Sequence, residues 1–206
     1  NRWRFTHDKL REGALRSITP HSLRTKLHRK VARAIEAVYP DNADYHRALL
    51  EHWHMAGNLK KEIAYLEAVV KYDLNITGAH QRVHSILDRT LNTLSKDDKA
   101  RMSLLNLRAS AYSFASQYDQ AQACATEAKE LAEKYDDQAQ IAQSLYTLGE
   151  VASRRGDLPQ ADSHLQASLA IGKMLNDHRN IARVMNNLGM VAYRMGNFDE
   201  ANTYFV

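Results

Sequence analysis

Residues 151–162 read VASRRGDLPQAD, and the same phrase stands at 191–202 as VAYRMGNFDEAN and at 111–122 as AYSFASQYDQAQ. Equivalent residues such as Ser116, Gly156 and Gly196 therefore recur every 40 positions. A fixed period of this size marks stacked repeats, in which each unit hides its apolar face only against its neighbours. Ala, Leu, Glu, Gln, Lys and Arg are plentiful around each phrase and β-branched runs are scarce, which favours helix. Gly156 and Gly196 fall at tight turns, where freedom to take positive φ is useful. Pro159 follows in the first turn of a helix, where its missing N–H costs nothing. The expected fold is all-α, a solenoid of antiparallel helix pairs.

Outward from these phrases the periodicity predicts helices over 99–115 and 119–135, 138–155 and 158–175, then 178–195 and 198 onward. Less regular hairpins precede them. Helices over 43–56 and 59–75 flank Gly57-Asn58, with Leu49, Trp53 and Ala56 expected to face Ile63, Leu66 and Val70, and a further helix covers 79–94. Thr19-Pro20 starts a helix whose stripe is Leu23, Leu27, Val31, Ile35 and Val38, and Tyr39-Pro40 ends it. Before it, residues 3–5 read as a strand end and His7-Asp8 opens a helix carrying Leu10, Ala14, Leu15 and Ile18. The expected divisions are 1–40, the degenerate hairpins 41–98 and the regular array 99–206. The last repeat breaks off in its second helix, so the natural protein is expected to continue beyond both ends of the chain.

Bulk properties narrow the function. The net charge of +4 divides into +7 over residues 1–40 and −3 over the rest. That basic end is read as a solvated face, and nucleic acid is not an expected partner. The single Cys124 has no internal disulfide partner, which suits a reducing compartment, and the expected location is the cytoplasm. No apolar run reaches the about 18 residues of a membrane span. His80, His84 and Asp88 share one helical stripe at intervals of four, but no Glu base or Cys accompanies them, so packing is preferred over a metal site. His52 and His54 point to different faces of a helix. No serine lies in a GxSxG elbow and Cys124 has no neighbouring His in sequence, so no catalytic residue is assigned.

Leu148-Gly149, Ala152, Gly156-Asp157-Leu158, Ala161 and Ser168, echoed by Leu188-Gly189, Ala192, Gly196-Asn197-Phe198 and Ala201, resemble the tetratricopeptide repeat. The 99–135 unit departs from it at Ser116 and Ala109 but keeps Tyr112, Tyr118, Ala121 and Ala128. The resemblance implies a right-handed α-solenoid whose first helices line a concave groove for an extended peptide or a helix. Helical spacing puts Tyr146, Glu150 and Arg154 on that face in one unit, and Arg183, Asn186, Asn187, Met190 and Arg194 in the next. The arginines would suit an acidic protein or peptide. The 40-residue period, longer than the usual about 34, resembles the repeats of kinesin light chains and of bacterial signalling ATPases. Asn187 matches the asparagine with which kinesin-light-chain-like repeats hold a ligand backbone, although Thr147 and Leu107 occupy the equivalent positions here.

A second resemblance lies at the other end. FTHDKLREGAL at 5–15 is similar to the end of the winged-helix domain in STAND-class signalling ATPases, and Leu27-His28-Arg29-Lys30 with Ala32 to Ala37 resembles the linker helix that follows it. This implies a short winged-helix remnant in which His7 touches the β-phosphate of ADP held by an upstream nucleotide-binding domain. Any ATP or ADP would belong to the parent protein, because this chain has no GxxxxGK[ST] loop and no cofactor site of its own. The expected function is a non-catalytic sensor that binds a protein or peptide trigger and relays it upstream. The alternatives are a stand-alone scaffold or adaptor, and the regulatory tail of a kinase or cyclase.

Overall fold

The computed structural model of the chain describes residues 21–74 and 80–206. Ten α-helices account for most of them, and no strand occurs among the described residues. The strand expected at 3–5, the helix after His7 and the winged-helix remnant lie outside the described residues. The chain divides into two compact units between Asn75 and Ile76.

The first unit contains α1 (His21–Val38), a 3₁₀ turn (Ala43–Tyr45), α2 (His46–Met55) and α3 (Leu59–Tyr72). Its core joins Ala32, Leu49, Trp53 and Ala56, with Ile35, Tyr45 and Tyr65 packed against it. Leu66 and Val70 are buried as expected, and Ile63 is half-buried. The stripe expected to bury α1 corrects the sequence reading. Leu23, Leu27, Val31 and Val38 are 38–65% exposed, and α1 instead packs through Ala32 and Ile35. The small Ala32 lets the α1 backbone approach Trp53, whereas the larger residues lie on the flank turned away from α2.

The second unit contains α4 (His80–Leu91), then α5 (Ala100–Phe114) with α6 (Tyr118–Lys134), α7 (Gln138–Arg155) with α8 (Leu158–Met174), and α9 (His178–Arg194) with α10 (Phe198–Phe205). Its turns obey a shorter rule than the 40-residue phrase suggested. Positive φ occurs at Ser116, Asp136, Gly156, Asn176 and Gly196, so α5 to α9 all end the same way at intervals of 20. Asp and Asn tolerate this left-handed conformation because their short polar side chains bond locally. After Asp136, Gly156 and Asn176 the next residue also caps the following helix. Asp137, Asp157 and Asp177 accept from the backbone N–H groups of Gln140, Gln160 and Asn180 at 3.1, 3.2 and 3.0 Å.

Between α7, α8 and α9 lies a core of Tyr146, Ala152, Ala161, Leu165, Leu169, Val184, Leu188 and Val191. Each fully buried Leu or Val here contributes about 1.5–3 kcal/mol relative to exposure. Gly149 admits Leu165 closely, since a Cβ there would lie 2.6 Å from Leu165 Cγ. Cys124 is half-buried against Ala109, Ala125 and Leu148, and burial raises its thiol pKa.

Candidate functional site

The first helices of successive pairs pack directly on one another, α5 on α7 and α7 on α9, more closely than the second helices do. The residues facing outward from α5, α7 and α9 therefore share one face of the stack. The expected groove residues all lie on α7 and α9, and the structure ties most of them into one network.

Arg183 sets its guanidinium over the Tyr146 ring, 3.8 Å from the centroid, and donates to Gln143 Oε1 at 2.7 Å and Asn180 Oδ1 at 3.0 Å. Asn187 Nδ2 donates to the Tyr146 hydroxyl at 2.8 Å and to the Arg183 carbonyl at 3.3 Å. That amide is therefore used inside the chain rather than held out for a ligand backbone. The Glu150 carboxyl lies one helical turn beyond Tyr146, near its hydroxyl. Burial pushes the Glu150 carboxyl above its ordinary value, opposed by the Tyr146 hydroxyl and by the charges of Arg154 and Arg183. Burial also raises the Tyr146 phenol, with the Glu150 charge adding to it.

The two outer arginines are anchored by different means. Arg154 is exposed but lies over the Phe114 ring of α5, 4.1 Å from its centroid. Beneath it a small pocket lined by Ser110, Ser113, Thr147 and Glu150 lies between α5 and α7, and the buried Ser113 hydroxyl has no hydrogen-bond partner. Arg194 donates to the Ser153 carbonyl at 2.7 Å and to its hydroxyl at 2.9 Å. Met190 is 51% exposed and Asn186 is exposed, on the same α9 stripe and outside the network. The face thus presents three positioned guanidinium groups and one partly buried carboxyl, beside an apolar Met.

Gln143, Phe114 and Ser153 hold the arginines and were missed by sequence reasoning. The signal that could have found them is the period itself. The contacts Gln143–Arg183 and Phe114–Arg154 span 40 residues, and Tyr146–Asn187 and Ser153–Arg194 span 41. His7 lies outside the described residues. The other histidine stripe takes part in packing, with His84 against the Tyr112 ring and Asp88 paired to Arg108 at 3.0 Å. Among the described residues no helix is long and apolar enough to cross a membrane.

The family model described as tetratricopeptide repeat matches residues 100–174 and 140–205, and the chain belongs to that family. No curated protein sequence matches it. Among solved structures it is similar to BtubC (BKLC) from P. vanneervenii, with a TM-score of 0.58 at 15% identity, covering 91% of this chain and 89% of that one. It is also similar to MamA residues 41 to the end from Desulfovibrio magneticus RS-1, with a TM-score of 0.56 at 16% identity and coverage of 88% and 91%. At these identities the likeness shows the fold.

Proposed function

We propose that this protein is a non-catalytic interaction module whose concave face binds an extended peptide bearing acidic side chains. The observation that carries this reading is the row Arg154, Arg183 and Arg194. Each guanidinium is fixed before any partner arrives, by Phe114, by Tyr146 with Gln143, and by Ser153. An arginine already held in place loses less side-chain entropy on binding, and its fork suits a carboxylate. Met190 offers an apolar contact between Asn187 and Arg194 on the same stripe. Selection of displayed peptides on the full chain tests this. Enrichment of Asp and Glu is expected, with amide shifts on binding confined to α5, α7 and α9, and enrichment of basic or purely apolar peptides would refute it.

A relay to an upstream nucleotide-binding domain is favoured by one observation, the FTHDKLREGAL motif. In a protein that carries such a domain, His7→Ala should loosen ADP; unchanged nucleotide occupancy would remove the relay and leave a stand-alone scaffold.

A further inference from the structure

A second cavity lies in the first unit, separate from the groove. It forms where α1 ends and the chain turns towards α2. Glu36 Oε1 there accepts from Trp53 Nε1 at 3.0 Å, Lys61 Nζ at 3.0 Å and the Tyr65 hydroxyl at 2.7 Å. One carboxylate oxygen thus ties α1 to α2 and α3. Beside it opens a cavity of about 230 Å³ whose walls include Glu36, Tyr39, Asp41, His46, Lys61 and Tyr65.

Charge and shape both specify the occupant. Two carboxylates face one ammonium, so with histidine counted as neutral the cavity is one positive charge short. Lys61 is already paired with Glu36, whereas Asp41 makes no hydrogen bond or ion pair among the described residues. The charge of Asp41 is felt across the cavity. Tyr65 is pushed up to about 12, first by burial, then by its bond to Glu36 and the charges of Glu36 and Asp41. The rings of Tyr39, His46 and Tyr65 complete the walls; Tyr39 is backed by Tyr45, stacked at 4.3 Å, and His46 and Tyr65 meet at 5.6 Å between centroids. The volume is below the roughly 300–1,000 Å³ of pockets that take drug-sized ligands, which leaves room for one side chain.

We infer that this cavity receives an arginine side chain from a partner protein. A planar guanidinium can lie on tyrosine rings while its fork reaches a carboxylate, which a compact ammonium cannot do in the same way. The inference does not depend on the groove, whose ligand has the opposite charge.

The test adds N-acetyl-arginine methylamide to the full chain and follows backbone amide shifts. Saturable shifts are expected at Tyr39, Asp41, His46 and Tyr65, with the neutral citrulline analogue binding about tenfold more weakly and the lysine analogue also weaker. Asp41→Asn should weaken arginine binding about fivefold with an unchanged unfolding midpoint, because Asn tolerates the φ of 55° found at this position. Absence of saturable shifts, equal binding of the citrulline or lysine analogue, or full affinity in Asp41→Asn would each overturn the assignment.

Discussion

Glu150 is the residue at which fold and groove compete. Its carboxyl is raised by burial more than Tyr146, Arg154 and Arg183 lower it. The folded chain therefore binds this proton more tightly than the unfolded chain. The ionised group costs stability above the ordinary carboxylate range, and the cost is relieved as pH falls through the raised value. Glu150→Gln removes the charge while keeping nearly the same size and shape. Relative to wild type, its urea midpoint should rise as pH increases from about 4 to 7; a difference that is flat or falls with pH would show that the arginines fully compensate the carboxylate. Two glycines 40 residues apart give a sharper contrast. A Cβ at Gly149 meets buried Leu165 at 2.6 Å, whereas one at Gly189 meets Phe205, which is 53% exposed, at 2.5 Å. Alanine gains about 1 kcal/mol of helix propensity at either site. Against overpacking of about 1–3 kcal/mol, that gain leaves Gly149→Ala destabilised. Gly189→Ala should be near neutral because Phe205 can swing outward, and equal losses in chemical denaturation would contradict this account.

At the scale of helices, three turns of the array, at Asp136, Gly156 and Asn176, combine a left-handed residue with a capping one. Removing the side chain of Asp157, which holds the Gln160 N–H at 3.2 Å, should cost about 1 kcal/mol in denaturant unfolding. No measurable loss would mean that Pro159 and packing define this helix start without the cap. Most helix limits were legible because apolar spacing, Gly156, Gly196 and Pro159 all point to the same boundaries. The breaks at 136–137 and 176–177 were placed, but the positive φ of Asp136 and Asn176 was not recognised, since Asp and Asn announce it less plainly than glycine. The orientation of α1 was misread for a different reason. Hydropathy picked the stripe with the largest residues, whereas close approach to Trp53 selects the smallest, Ala32.

For the molecule as a whole, the tetratricopeptide architecture followed from the repeat. What the residues do within the groove did not, because it depends on pairs from neighbouring repeats. Asn187 was read as a contact for a ligand backbone, yet its amide reaches Tyr146, and Arg183 is committed to Tyr146 and Gln143. Arg154 and Arg194 lie at the exposed end of the row and are bound least deeply, so their substitution should change binding while sparing the core. The most direct measurement is calorimetric titration of a display-selected acidic peptide into wild type and into the Arg154→Glu, Arg194→Glu double variant, with helicity checked by circular dichroism. Affinity should fall at least about tenfold, as expected when two charge-assisted contacts become repulsive, with helicity unchanged. Equal affinity in a folded double variant would contradict the proposed function.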